Sequence, residues 1–328
     1  MTKILVTGGA GYIGSHVVHL LARRNFVPIV YDNFSTGFRD FVEEFDIIEG
    51  DIGDYQHVSE VLKSYDIACV MNFASYIAVG ESVNKPLMYY DNNVAKTFTM
   101  FRAMLDADLK RFIFSSSAAV YGTPEEVPIS EDSRLHPESP YGKTKYFIEE
   151  VLRDLDVSDQ FKSVSLRYFN AAGADFSGQM GEGHVPETHL IPLVIRAVLD
   201  PEYTITIFGA DYDTEDGTCV RDYIHVNDLA MAHILALENL LETPETRVYN
   251  LGNGLGFSVK EVIDSVKRVT GKDLSVKEGE RRPGDPAVLV ASSRRAREEL
   301  GWDPQYPEID EIVRSAWNWE SQQRRRGY

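Results

Sequence analysis

The chain has 328 residues, 43% of them hydrophobic, which is enough to bury one large core or two medium ones and excludes disorder as the default state. Acidic residues outnumber basic ones 51 to 33, and the formal net charge of −18 argues against a broad nucleic-acid surface and against attraction to anionic membranes. No apolar run reaches the ~18 residues that span a bilayer, MTKILVTGG runs straight into a strand without signal-peptide regions, and the two cysteines, Cys69 and Cys219, read as buried thiols; a cytoplasmic setting with no metal site is expected.

Up to about residue 168, short apolar runs alternate with amphipathic stretches. Strands are predicted at 4–7, 27–31, 46–50, 68–73, 111–116 and 163–169, and helices near 12–24, 54–64, 87–106 and 141–156. This alternation predicts a doubly wound parallel α/β sheet of the Rossmann type, covered on both faces. After Asn170 the rhythm breaks into a glycine-rich loop at 171–187, a helix near 189–199 and short strands separated by turns. The expected organisation is a cofactor domain over 1–168, rejoined by about 222–245, and a smaller α/β substrate-binding domain over 169–328. The closing QQRRRGY reads as a solvated helix end.

VTGGAGYIGSH follows the first strand and opens the first helix. It places Gly8, Gly11 and Gly14 where the backbone must turn, approach a ligand and pack closely. A helix N-terminus attracts phosphate through its free N–H groups and its dipole. Asp32, at the end of the second strand, can accept both ribose hydroxyls of an adenosine and would repel a 2′-phosphate, so NAD is favoured over NADP. Asp51, in GDI at 50–52, stands where an adenine could be met; taken alone it reads as the cap of the following helix.

SPYGKTK puts Tyr141 and Lys145 one helical turn apart on one face. As an isolated pair they would be ordinary surface residues. A serine triplet, Ser115 to Ser117, ends the fifth strand, where such sheets bind ligands. A phenol with a pKa near 10 is ~0.1% ionised at pH 7, so a base poised at neutrality needs a shift of ~3 units, about 4 kcal/mol. One unit charge at ~4 Å supplies that much at an effective dielectric of 20. The expectation is that the Lys145 ammonium, helped by a positive nicotinamide ring, lowers the Tyr141 pKa while Ser117 bonds the same substrate oxygen.

The serine, the Tyr-x-x-x-Lys pair and the glycine loop together resemble the extended short-chain dehydrogenase/reductase superfamily. VGESVNKPLMYYDNNV (79–94), FIFSSSAAVYG (112–122), LRYFNAAGA (166–174) and above all YDTEDGTCVRDYIHVNDLA (212–230) resemble the UDP-galactose (UDP-glucose) 4-epimerase family over essentially the whole chain. That resemblance implies a tightly held NAD that oxidises and re-reduces C4 of a UDP-sugar, inverting it, in a homodimer. It implies Tyr141 as acid/base, Lys145 as its tuner and a ribose ligand, and Ser117 on the 4-hydroxyl. The implied cofactor residues are Gly8, Gly11, Tyr12, Ile13, Gly14, Asp32, Asn33, Asp51, Ile52, Phe73, Ala74, Asn92, Tyr141, Lys145 and Tyr168. On the UDP-sugar the resemblance sets Ser117, Tyr141, Asn170, His189, Leu190, Phe208, Arg221, Arg282, Asp285 and Leu289, with the two arginines gripping the diphosphate. Read without the motif, those arginines form surface salt bridges with acids such as Asp222 or Asp285.

The chain departs from the family pattern in three places. Ser75, Tyr76 and Ile77 stand where Gly-Leu-Lys is common, so a lysine expected near the NAD pyrophosphate is missing. His189 replaces an amide, and Leu289 is intermediate in bulk at a position that sets whether an N-acetyl group fits. A 4,6-dehydratase is disfavoured because Ala118 and Ala119 follow Ser117 where dehydratases carry Asp-Glu. A UDP-glucuronate decarboxylase, which usually carries Glu there, fails similarly. The remaining alternatives are a 4-epimerase of another UDP-sugar (N-acetylhexosamine, pentose or uronate) and a non-catalytic NAD-sensing protein.

Overall fold

The structure, a computed structural model, describes residues 1–282 and 285–326, with side chains through Gln323. The basic tail beyond Gln323 lies outside the described side chains. In the first half the strands are β1 (Lys3–Thr7), β2 (Val27–Asp32), β3 (Asp46–Glu49), β4 (Ile67–Asn72), β5 (Arg111–Ser117) and β6 (Lys162–Tyr168). The helices between them are α1 (Tyr12–Arg23), α2 (Tyr55–Ser64), α3 (Val79–Asn84), α4 (Pro86–Tyr90), α5 (Lys96–Asp106) and α6 (Pro140–Asp159).

The second half holds β7 (Asn170–Ala172), α7 (Leu190–Leu199), β8 (Ile205–Phe208), β9 (Val220–Arg221), β10 (Tyr223–His225), α8 (Val226–Glu242) and β11 (Arg247–Leu251). It continues through β12 (Phe257–Ser258), α9 (Val259–Thr270), β13 (Val276–Gly279), β14 (Val288–Leu289), α10 (Arg294–Leu300) and α11 (Ile309–Arg326).

Seven strands pair in parallel in the order β11-β6-β5-β4-β1-β2-β3. Because strand side chains alternate between faces, each strand feeds two cores. Ile4, Val6, Val30, Met71 and Ile113 face α1 and α8, against Val17, Val18, Leu21, Leu229 and Leu237. Leu5, Ile29, Val70, Phe112 and Phe114 face α2, α5 and α6, against Leu62, Met100, Phe101, Ile148 and Leu152. Burial on both sides explains why these strands read as continuous apolar runs. The fold is the doubly wound parallel α/β sheet of the Rossmann type. Strand order reverses between β1 and β4, so a crevice opens at their carboxyl ends, where such sheets bind ligands.

The second half packs α7, α9 and α11 into a separate core around Ile191, Val194, Val262, Val266, Ile312 and Val313. Three small sheets border it: β10 with β7, β12-β9-β14, and β13 with β8. α8 then returns to pack on α1, and β11 adds the edge strand beside β6. The predicted single helix at 87–106 is interrupted: between α4 and α5 the backbone forms a π-helical turn over Asp91–Ala95. The cap of α2 is Asp54, which accepts the His57 N–H, and not Asp51.

Candidate active site and nucleotide cleft

The loop after β1 is shaped by contacts that leave no room for side chains. Gly8 has φ +71°, and a Cβ there would lie 2.5 Å from the Ala74 nitrogen. A Cβ on Gly14 would fall on the Gly8 carbonyl oxygen, so the helix packs directly on the loop. Gly11 differs, since its only near neighbour would be that same oxygen at 3.3 Å. Gly11 is the N-cap of α1, with no side-chain cap and no acid in the first turn, which contains Tyr12, Ile13 and Gly14. A positively polarised helix end with neither a side-chain cap nor an acid in its first turn is suited to a phosphate.

Asp32 ends β2 with its two oxygens accepting Ala10 N–H at 2.9 Å and Phe34 N–H at 2.8 Å. Burial raises its pKa, and the backbone N–H bonds work the other way. Each oxygen keeps a lone pair for a ribose hydroxyl. Asn33 donates to Asp51 at 3.1 Å, and Lys96 donates to the same carboxylate at 2.7 Å. Burial pushes Asp51 up, but Lys96, Gly53 N–H and Asn33 hold it below the usual carboxylate range. Ile52, next to Asp51, is buried in the core on that face of the sheet. Phe73 and Ala74 leave β4 against Gly8, and the Phe73 ring lies 4.9 Å from that of His233, which also bonds the Tyr168 hydroxyl at 3.3 Å. Loop, acid, Phe73, Ala74 and Tyr168 are therefore gathered at the carboxyl ends of the strands.

Ser117 is the last residue of β5, and its Oγ accepts the Ala119 N–H at 3.2 Å. Helix α6 starts opposite it, capped by Ser139, which accepts the Gly142 N–H at 3.0 Å, with Pro140 at its first position. A Cβ on Gly142 would strike the Ala119 carbonyl oxygen, so this glycine lets α6 press Tyr141 toward Ser117. Lys145 Nζ lies 5.8 Å from the centre of the Tyr141 ring and 5.0 Å from that of Phe114. It donates to the Ser115 carbonyl at 2.7 Å and to Ser75 Oγ at 2.9 Å.

The protein's own groups do not lower the Tyr141 pKa. Burial raises it above 10, and only the neighbouring Ser117 hydroxyl works against that. Burial also brings Lys145 down to about 7, opposed by Glu149. The reason is desolvation: both groups are buried, which disfavours phenolate and ammonium alike, and the lysine's hydrogen bonds go to Ser75 and Ser115.

The residues assigned to the UDP-sugar fall into two groups. Arg221 pairs with Asp285 and donates to the Val220 carbonyl at 2.7 Å, while the Arg282 guanidinium stacks 4.2 Å from the Phe208 ring. The salt bridge that Arg221 makes is thus with Asp285 and not Asp222. Leu289 pairs in register with Arg221 and, like Ala118 next to Ser117, packs against the cluster of Val120, Tyr121 and Ile129. Asn170 begins β7, its N–H bonded to the Asp222 carbonyl at 2.9 Å. His189 and Leu190 open α7, and His189 does not face solvent freely: its Nδ1 lies 2.7 Å from Glu182 and 2.8 Å from Glu187.

Several supporting residues escaped the sequence reading. Asn92 donates to Asn93 at 3.1 Å, but it is the buried Asn93 that holds the backbone of Tyr76 through two bonds, 2.9 and 3.0 Å, and reaches Thr144 on α6 at 3.3 Å. Two asparagines inside a helix pattern were the available signal, since such residues seek backbone partners. Ser75, at a departing position, turns out to hold Lys145. In the motif at 212–230, Asp222 accepts the N–H groups of Asn253, Gly254 and Ala291 at 2.7, 2.9 and 3.0 Å, and His225 caps α8. Much of that motif is architecture.

The family described as NAD dependent epimerase/dehydratase matches residues 4–252. A UDP-glucose 4-epimerase of Rhizobium meliloti (strain 1021) is 49% identical over 325 residues, covering 99% of each chain. The crystal structure of UDP-glucose 4-epimerase from Brucella ovis in complex with NAD superposes with a TM-score of 0.94 at 45% identity, over 96% of this chain and 97% of that one. That of the Bifidobacterium longum UDP-glucose 4-epimerase in complex with NAD+ and UDP gives 0.92 at 38% identity, over 98% and 99%. The chain therefore belongs to the NAD dependent epimerase/dehydratase family.

Proposed function

We propose that this chain is an NAD-dependent UDP-sugar 4-epimerase that interconverts UDP-galactose and UDP-glucose. The observation that carries the reading is the convergence of Ser117, Tyr141 and Lys145 beside a crevice whose helix end and acid suit NAD. The near-full-length likeness to UDP-glucose 4-epimerases supports it.

In this reading Gly11 to Gly14 take the pyrophosphate and Asp32 the adenosine ribose, with Asn33, Asp51 and Ile52 at the adenine end and Phe73, Ala74, Asn92 and Tyr168 along the rest. NAD, when bound, accepts and returns the C4 hydride, and its cationic ring adds the charge that favours the Tyr141 phenolate. Tyr141 takes the 4-hydroxyl proton and gives it back, and Ser117 orients that oxygen. Lys145, anchored by Ser75 and the Ser115 carbonyl, holds a positive charge near the phenol and a donor for the ribose. Arg221 and Arg282 grip the diphosphate, exchanging the Asp285 contact for phosphate, with Phe208 and Leu190 on the nucleotide, Asn170 and His189 on the linking groups and Leu289 as the sugar wall. Strong anchors on the nucleotide and few on the hexose leave the 4-keto sugar free to turn before re-reduction.

The first domain would hold NAD and the second the UDP-sugar. A homodimer through α4, α5 and α6 is part of the proposal, supported by the exposed apolar Leu87 and Phe147 on those helices. So is a cytoplasmic setting, supported by Cys69 and Cys219 being buried and unpaired. Among the described residues no helix is long and apolar enough to cross a membrane.

Purified protein given UDP-galactose without added cofactor should form UDP-glucose. Tyr141→Phe should lose about 10²–10⁴-fold in turnover while retaining NAD. A variant as active as the parent would remove the assignment.

A further inference from the structure

The loop between β7 and α7 turns four metal-ligating side chains toward one point: Glu182, His184, Glu187 and His189. One ligand atom from each lies within 4.8 Å of all the others. Glu182 Oε1 is approached by two imidazole nitrogens, His189 Nδ1 at 2.7 Å and His184 Nδ1 at 3.0 Å, while His189 Nδ1 is approached by two carboxylates, Glu187 Oε1 standing at 2.8 Å. One N–H cannot be donated at full strength to two acceptors, so protons serve this arrangement poorly. A cation at the shared point would serve all four donors at once.

We propose that Glu182, His184, Glu187 and His189 form a binding site for a divalent transition-metal ion of the Zn²⁺ kind. Two imidazole nitrogens and two carboxylate oxygens are a donor set such an ion accepts. Bonds of about 2.0–2.2 Å to a tetrahedral ion set donors about 3.4 Å apart, within the range spanned by the observed separations.

The surroundings are built to hold the donors. Glu182 is buried, its carbonyl takes the Trp319 indole N–H at 2.7 Å, and Gly181 lies flat on the Trp319 ring. Glu187 Oε1 accepts the N–H groups of Thr188 and His189 at 2.6 and 2.7 Å, which fixes the carboxylate's direction. A third carboxylate, Glu320 on α11, lies near enough to feel the charges of Glu182 and Glu187. Occupation would clamp the glycine-rich loop to the start of α7 and leave His189 Nε2 as that ring's remaining donor. The inference shares His189 with the epimerase reading but does not rest on it.

The test uses full-length protein with its nucleotide left in place, stripped with dipicolinate, reloaded with Zn²⁺ or Co²⁺ and freed of excess. About one Zn²⁺ per chain by elemental analysis is expected, with visible d–d absorption in the Co²⁺ form and a higher Tm than the stripped protein. The double variant His184→Ala/Glu187→Ala, checked for folding by far-UV circular dichroism, should lose metal at least about tenfold. Less than about 0.2 ion per wild-type chain, or equal retention by the folded double variant, would overturn the site. If the double variant does not fold, the wild-type Co²⁺ spectrum decides: a colourless protein sinks the proposal.

Discussion

Beneath the candidate catalytic groups lies a buried ion pair whose removal gives a sharp test of how the site is held. Glu149 and Arg167 have side chains only 1% and 2% exposed. Arg167 donates to both Glu149 oxygens, Nε at 2.9 and 3.2 Å and Nη2 at 2.5 Å, and its Nη1 reaches the Tyr121 hydroxyl at 2.8 Å. Ser116, next to Ser117, gives Glu149 a further bond at 2.5 Å, and Glu149 follows Lys145 by one turn of α6. Arg167→Met keeps most of the side-chain stem but strands a dehydrated carboxylate, at an expected cost of about 3–5 kcal/mol. In Glu149→Leu/Arg167→Met the stranded charge is gone and Tyr121 still bonds Asn250 at 2.7 Å. Ser116 loses an acceptor and the half-exposed Arg153 loses an ion pair at 3.7 Å, so the double variant should fall about 1–2 kcal/mol below wild type. Urea unfolding followed by tryptophan fluorescence, with equal m values, would measure both. The reasoning fails if Arg167→Met costs under about 1 kcal/mol, or if the two single effects simply add in the double.

Two glycines of the loop should separate binding from folding. Gly11→Ala, at φ −76° and ψ 175° with its Cβ 3.3 Å from the Gly8 carbonyl oxygen, a far milder contact than at Gly14, should fold within about 1 kcal/mol of wild type yet lose at least about tenfold in NAD affinity, measured by fluorescence titration. Gly14→Ala, driven against the Gly8 carbonyl, should instead lower Tm markedly. Lys145 offers a pH test. Its pKa in the fold is about 7 against an ordinary 10.5, so between those values the unfolded chain binds one more proton and stability rises with pH. Relative to Lys145→Met, nucleotide-free wild type should gain about 2 kcal/mol from pH 7 to pH 9. A flat or falling difference would mean that the lysine is not desolvated.

Local patterns made the first half legible. Helix α1, its glycine loop and Asp32 follow from strand-loop-helix order, because each has a cause within a few residues: a turn needing positive φ, a helix end needing an anion, a strand end needing a carboxylate. The Tyr141–Lys145 pair follows from helical spacing alone. Electrostatics misled where burial was unknown, since a lysine thought to lower its neighbour's pKa is itself dehydrated. Asp51 read as a cap because the sequence offered two acids, and only the backbone path selected Asp54.

What the chain's own order of residues determined is the sheet, the crevice at its switch point and the chemistry able to gather there, since periodicity and short-range sterics act between near neighbours. Tertiary structure alone decided that Arg221 meets Asp285, that Ser75 holds Lys145, that Asp222 serves three backbone N–H groups and that α8 returns to α1. These contacts join residues up to hundreds of positions apart. Their energies depend on water being excluded, a property of the folded interior that no local pattern encodes.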